Sequence, residues 1–158
     1  MTMASEPRPT ATPVTREEIL RLIPHQGGMC LWDTVLDWDA TRIRLRTHGH
    51  RDPAHPLRHA GRLHAVHLCE YGAQSMAVHG GLLARAGGGS APPGLLVALR
   101  GVRLHCVRID ALPDALECEA EALVRGDGGS QYAFRISHAG TLLAEGRAAV
   151  LLQVPAER

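Results

Sequence analysis

The stretch RLHAVHLCEYGAQSMAVHGGLLARA, residues 62–86, carries the strongest helical pattern in the chain. Small and apolar residues such as Leu63, Val66 and Ala73 recur through it, and it contains no proline. Such recurrence is typical of a helix with one face packed against a core. Three glycines at 87–89 end the pattern. The sequence therefore predicts one long helix over residues 62–86.

The segments on both sides of this helix alternate apolar and polar residues, as β-strands do. A capping box at Thr15 and Glu18 predicts a short helix that ends before Pro24. Turn signals such as the glycines around Asp127 separate successive strands, which favours antiparallel hairpins. We expect an α+β fold, in which an antiparallel sheet wraps around the long central helix. The predicted strands cover residues 29–38, 42–47, 95–109, 115–124, 131–137 and 142–154.

The composition indicates a single globular domain. The chain has 158 residues, and its 17 Lys+Arg against 16 Asp+Glu leave no strong field to attract nucleic acid or an acidic membrane. Residues 1–14 are polar and rich in proline and threonine, so we expect a disordered arm ahead of one domain over residues 15–158. The four cysteines are widely spaced and no apolar run approaches the ~20 residues of a membrane span. These features predict a cytoplasmic protein.

The polar residues of the long helix include a carboxylate and an amide whose neighbours are mostly small or apolar. Glu70 and Gln74 are four residues apart, so we expect them on one face. Burying a carboxylate is costly unless it has a partner or a chemical role. The alternative is a solvated stripe, on which Glu70 pairs with Arg62 or Arg85. The small and apolar neighbours of Glu70 favour a functional role.

The chain resembles the hotdog-fold β-hydroxyacyl-acyl-carrier-protein dehydratases of fatty-acid synthesis. The resemblance is carried by Ile23-Pro24-His25 near the start, by Glu70-Tyr71-Gly72-Ala73-Gln74 on the helix, and by the strands over 95–152. Within that family, the spacing of Gly27 and Met29 after His25 gives a closer likeness to the divergent dehydratase-like subunit of aryl-polyene-type clusters. The resemblance implies a hotdog fold and dehydration of a 3-hydroxyacyl thioester. It also implies a substrate carried on the phosphopantetheine arm of acyl carrier protein, with no cofactor of its own.

The chain departs from that family in the loop before the helix. The family places its catalytic histidine in a His-Phe-Pro-Gly motif, whereas this chain has His55-Pro56-Leu57-Arg58, one residue farther from Glu70. We therefore predict His25 as the catalytic base and His55 as a second candidate that contacts the substrate. Glu70 is predicted to orient or protonate the departing hydroxyl.

Dehydration of a 3-hydroxyacyl thioester sets the remaining expectations for the site. The reaction needs a base for the C2 proton, an acid for the C3 hydroxyl and donors for the thioester oxygen. We expect the backbone N–H groups of Ala65 and Val66, at the first turn of the helix, to be those donors. Gln74 is predicted to contact the substrate.

Other functions and partners remain open from the sequence. The chain could be a non-catalytic hotdog subunit that binds acyl carrier protein, or a thioesterase, since the same fold can direct water at a thioester. We expect a homodimer or a heterodimer with another hotdog subunit. Arginines 46, 51, 58 and 62 form either a docking surface for the acidic carrier protein or a solvated loop.

The histidines around the helix start allow a metal site to be considered. The pairs His48/His50 and His64/His67 have the spacing of metal ligands. No zinc signature accompanies them in the sequence. We therefore expect no metal site.

Overall fold

The computed structural model describes residues 13–89, 91, 94–126 and 128–152. Most of the predicted N-terminal arm lies outside these residues. Val14, at its end, pairs with Val35 through two backbone hydrogen bonds, so the ordered domain includes this residue. The helices and strands among the described residues are α1 Arg16–Leu22, β1 Thr34–Trp38, β2 Arg42–Thr47, α2 Leu68–Ala86, β3 Gly94–Leu104, β4 Leu116–Gly126, β5 Gly129–His138 and β6 Thr141–Leu152.

The six strands form one antiparallel sheet in the order β1-β2-β4-β5-β6-β3. Helix α2 contacts strands β2 to β6, and α1 packs against α2. The predicted α+β hotdog fold, an antiparallel sheet around one long helix, is confirmed. Among the described residues, no helix combines the length and the apolar character that crossing a membrane requires.

The central helix begins later than the sequence predicted. Ala65–His67 form a 3-10 turn, and the α-helix starts only at Leu68. His64 is extended, because it forms a β-bridge with Arg108. The predicted start at Arg62 was wrong because this long-range pairing outweighs local helical preference, and periodicity along the sequence does not reveal it.

Two predicted strands are shorter in the structure. The segment over 29–38 forms a strand only in its second half, because Gly27–Met29 make a 3-10 turn before it. The strand predicted over 95–109 ends at Leu104. It bends at Gly101 as predicted, where the φ angle is +59° and the register with β6 shifts. Glycine adopts that conformation without the strain that a side chain would add.

Helix α2 lies unusually close to the sheet at Gly72. A Cβ atom built on Gly72 would lie 2.7 Å from ring carbons of Phe134 on β5. Phe134 is fully buried and occupies the space that a larger residue on the helix would need. Gly72 therefore sets the distance between the helix and the sheet.

His79 attaches the second half of α2 to two other elements. Its Nε2–H donates to the backbone carbonyl of Asp39, at 2.7 Å, in the turn between β1 and β2. The Nδ1 atom is therefore the acceptor for the hydroxyl of Tyr132 on β5, at 2.6 Å. The imidazole is fully buried. These bonds use both ring nitrogens of His79 for structure.

We predict that Gly72→Ala lowers the free energy of unfolding by about 1–3 kcal/mol, because the added methyl group must displace Phe134 or the helix. Gly80→Ala is the matched control, since a Cβ on Gly80 in the same helix meets nothing within 4 Å. Alanine at that position should raise stability by up to about 1 kcal/mol. Urea unfolding of the two variants measures the difference, and equal stabilities would contradict the close approach.

Candidate active site

Three segments of the chain meet along the first half of α2. The side-chain amide of Gln74 accepts from the Leu31 N–H at 2.6 Å and donates to the Met29 carbonyl at 2.8 Å, two bonds that we name the Gln74 clamp. A Cβ on Gly28 would lie 3.3 Å from Pro56, so the turn that holds Gly28 touches the loop after His55. The segment that follows His25, the histidine loop and the helix that carries Glu70 are therefore held together.

His25 lies in the turn between α1 and β1. The side chain of Gln26 donates to the carbonyls of Leu20 and Ile23, at 2.8 and 3.2 Å, and fixes this turn at the end of α1. His25 is half-buried, and its Nδ1 atom is buried with no hydrogen-bond partner among the described residues. This ring nitrogen is not engaged in a structural hydrogen bond among the described residues, unlike those of His55 and His79.

Glu70 is exposed on the outer side of α2. Its carboxylate makes no hydrogen bond or ion pair with any residue over the described ranges, so the alternative pairing with Arg62 or Arg85 is not found there. Gln74, one turn later, is only 3% exposed because the segment over residues 29–31 covers it. The spacing of four residues sets both side chains toward one side of α2, but neighbouring chain covers Gln74 and leaves Glu70 exposed. Glu70 is open to a substrate or to a second chain.

The side chain of His55 is buried, in contrast to that of Glu70, which is exposed. The Leu57 N–H donates to its Nδ1 at 3.1 Å, so Nε2 carries the ring proton and donates to the Tyr71 hydroxyl at 3.0 Å. Burial, followed by the nearby charge of Arg58, lowers the pKa of His55. With 8% of its surface exposed and both nitrogens engaged, His55 stays neutral and holds its loop against α2.

Tyr71 is a residue of this region that the sequence patterns did not predict. It sits beside Glu70 on α2 but points inward, where it is fully buried. Its backbone carbonyl accepts from the indole N–H of Trp32 at 2.9 Å, and the two rings meet edge to face with centroids 5.4 Å apart. Burial raises the pKa of the Tyr71 hydroxyl, so it remains protonated. One signal could have found Tyr71. The hydroxyl of a buried tyrosine usually has a hydrogen-bond partner, so a tyrosine on a helix that faces the core points to a polar contact there.

The two predicted backbone donors at the start of the helix differ. The Ala65 N–H donates to the Val107 carbonyl at 2.9 Å, so it is not free for a substrate oxygen, which corrects that part of the prediction. The Val66 N–H has no acceptor among the described residues. The Val66 side chain is 56% exposed and lies one turn before Glu70, so this N–H and the carboxylate occupy the same open end of the helix.

The histidine pairs do not assemble into a metal site over the described ranges. No group of three or more His, Cys, Asp or Glu side chains is placed to hold an ion there. His50 is fully buried and bonds the Leu112 carbonyl at 2.9 Å, while His48, His59 and His64 are exposed. The cysteines are free thiols.

One protein family matches most of this chain. The ApeP-like family, described as ApeP dehydratase, matches residues 17–156. A solved structure of the dehydratase heterocomplex ApeI:P from Xenorhabdus doucetiae aligns with a TM-score of 0.79 at 21% identity, covering 87% of this chain and 91% of that chain. No curated protein matches this chain.

More distant solved structures share the fold. An HP0420 homologue from Helicobacter felis aligns with a TM-score of 0.60 at 13% identity, covering 98% of this chain and 96% of that one. A hypothetical thioesterase from Streptococcus pneumoniae TIGR4, solved with coenzyme A, aligns with a TM-score of 0.55 at 12% identity, covering 75% and 84%. At these identities the likeness concerns the fold alone.

We predict that Gln74→Leu lowers the free energy of unfolding by about 1–3 kcal/mol, because the buried Leu31 N–H and Met29 carbonyl both lose their partner. Gln131→Leu, at an exposed position on β5, is the control and should change stability by about 0.5 kcal/mol or less. Urea unfolding measures both. A Gln74→Leu protein as stable as its control would show that the Gln74 clamp is absent in solution.

The buried histidines predict a loss of stability in mild acid. Burial is the largest cause that lowers the pKa values of His50, His55 and His79 in the folded protein. The unfolded chain therefore binds more protons as the pH falls through about 6.5, and the free energy of unfolding decreases from about pH 7.5 to about pH 5.5.

Urea titrations across this pH range measure that slope. His50→Gln keeps an N–H donor for the Leu112 carbonyl but does not titrate, so its slope should be smaller. Gln131→Leu, which changes no titratable group, should keep the slope of the unmodified protein. Identical slopes in all three proteins would contradict the attribution of the pH dependence to His50.

Proposed function

Because this chain belongs to the ApeP-like family of dehydratase-like hotdog proteins, we propose that it takes part in removing water from a 3-hydroxyacyl thioester in fatty-acid or polyene biosynthesis. The observation that carries the proposal is the Gln74 clamp. It ties residues 29–31, which follow the turn with His25, to the helix that presents Glu70, and this connection supports a site that draws on both segments.

The proposed reaction divides between an imidazole and a carboxyl group. His25 takes the C2 proton, and the electron pair of that C–H bond forms the C2=C3 double bond. The C3–O bond breaks, and the hydroxyl leaves as water after Glu70 has oriented or protonated it. The Nδ1 of His25, which is buried without a partner among the described residues, and the exposed position of Glu70 support these roles, whereas His55 has both nitrogens engaged.

The thioester oxygen gains negative charge as the C2 proton leaves. We place it at the free N–H of Val66, where the N-terminal end of a 19-residue helix adds its positive dipole. The exposed Val66 side chain offers apolar surface for the start of the acyl chain. The thioester itself is carried on the phosphopantetheine of acyl carrier protein, so the chain needs no cofactor of its own.

A second hotdog subunit completes the proposed site. Val66 and Glu70 are exposed in the single chain, as is Val107, which is 78% exposed beside the helix start. An active site that excludes water requires a cover over these residues. The ApeI:P structure is described as a dehydratase heterocomplex, and by analogy we propose that the cover is another hotdog chain in a heterodimer.

A non-catalytic role is the second candidate, and one observation favours it. His55 lies in the loop where the dehydratases that the chain resembles carry their base, but it is buried and hydrogen-bonded to Tyr71. In this alternative the chain binds acyl carrier protein and supports a partner that performs the chemistry. Product analysis separates the candidates, since the proposed function gives an enoyl thioester and a thioesterase gives free acid. If the chain has only a supporting role, substitution of His25 or Glu70 leaves the activity of the complex unchanged.

We predict that Glu70→Gln and His25→Asn each lower kcat/KM for 3-hydroxyacyl thioester dehydration by about 10²-fold or more, as expected for loss of a general acid or base. The assay follows enoyl thioester formation by the complex with the partner hotdog chain. Glu121→Gln and His59→Asn, both at exposed positions away from the Gln74 clamp, are the matched controls. Full activity in Glu70→Gln and His25→Asn would contradict the assignment.

A further inference from the structure

Strand β3 is the last strand of the sheet and carries uncovered apolar side chains. Within the described ranges, it pairs only with β6. Leu99 and Leu104 lie opposite the buried residues Ala148 and Ala144, so they face the core side. They are nevertheless 39% and 40% exposed, because nothing in the described chain lies beyond them. An edge strand with exposed apolar residues is suited to pairing with another strand.

The opposite, outer face of the sheet carries a row of alternating charges. Residues in direct register across all six strands change sign at every step, an arrangement that stabilises cross-strand pairs. The first two members, Asp37 and Arg44, form an ion pair at 3.0 Å. The row ends at the β3 edge on a positive charge. In sheet order its members are Asp37, Arg44, Glu119, Arg135, Glu145 and Arg103.

Positive charge accumulates where this row ends. Arg100 on β3 lies in register with Arg147 on β6, and Arg103 with Glu145, so the arginines share one face. We name Arg100, Arg103 and Arg147 the arginine edge. All three are exposed, and none of their side chains makes a hydrogen bond or ion pair with a residue that the structure describes. Glu145 is the acidic residue opposite Arg103, whereas Arg100 and Arg147 are like charges directly opposite each other, which is unfavourable unless an acidic residue lies beside them.

We propose that the β3 edge binds the edge strand of a different hotdog chain, one that carries acidic side chains on its outward face. The proposal deepens the proposed function, on which it rests, by giving the chemistry of the partner. Acidic residues beside Arg100 and Arg103 continue the alternation of charge across the interface. The side chains on the inward face of the partner's edge strand cover Leu99 and Leu104.

The same charges disfavour a second copy of this chain. The stretch over 94–104 contains two arginines and no Asp or Glu, so pairing two copies through β3 brings arginine edges together. Such repulsion selects against the wrong partner. An acidic carrier protein is the rival occupant, because it would also neutralise the arginines. It would leave the strand backbone unpaired, which is why a strand is the better fit.

The proposal is tested with this chain alone, by charge reversal. In Arg100→Glu/Arg103→Glu the edge becomes acidic, so the variant imitates the proposed partner. Sedimentation velocity at low salt should show the unmodified chain and the variant each failing to form a stable dimer. Their equimolar mixture should form a 1:1 dimer, with a Kd at least about tenfold lower than that for self-association of either protein. This preference should disappear in 1 M NaCl, where the screening length is about 3 Å.

Arg21→Glu/Arg125→Glu is the matched control, because it makes the same change in net charge at exposed positions away from β3. Its mixture with the unmodified chain should not dimerise. A stable dimer of the unmodified chain, no dimer in the test mixture, or equal dimerisation with the control would each overturn the proposal. Loss of acyl carrier protein binding in Arg100→Glu/Arg103→Glu, without dimer formation in the mixture, would assign the edge to the carrier protein instead. No substrate enters these measurements, so their outcome is independent of the dehydratase assay.

Discussion

The side-chain amide of Gln74 holds together the parts of this protein on which the proposed chemistry depends. A buried amide that both accepts from Leu31 and donates to Met29 cannot be replaced by an apolar group without leaving backbone atoms unpaired. The bonds fix the turn after His25 against the helix that carries Glu70. Gly72 lets the same helix lie against Phe134 on β5, so α2 is fixed on both sides.

The overall fold could be predicted from the sequence, because period-two strands, hairpin turns and one long apolar helix are local patterns. The start of the helix could not, because the bridge between His64 and Arg108 joins residues that are far apart in the chain. The same limit applies to the site. Spacing suggested that Glu70 and Gln74 share a face, but only the three-dimensional path of residues 29–31 decides that one is covered and the other open.

The two candidate bases show why residue type alone does not assign a role. His25 follows a proline and His55 precedes one, and neither neighbour reveals whether the ring nitrogens are hydrogen-bonded. In the structure, the Leu57 N–H fixes the tautomer of His55, and the ring proton of His55 is donated to Tyr71. The Nδ1 of His25 has no partner among the described residues. Hydrogen-bond partners, and not abundance in a histidine-rich loop, distinguish an imidazole with both nitrogens engaged from one with an unpaired nitrogen.

The open carboxylate and the arginine edge indicate the same need for a second chain. Glu70 has no partner over the described ranges, and the charge row across the sheet ends on Arg103, with no described strand beyond β3. The chain leaves one carboxylate, two leucines and three arginines exposed. A second chain can cover the leucines and pair with the charged groups. Since another copy would repeat the arginines, charge favours a different subunit. The asymmetry of the proposed complex would then follow from electrostatics at β3, while the proposed chemistry at α2 requires that cover to exclude water.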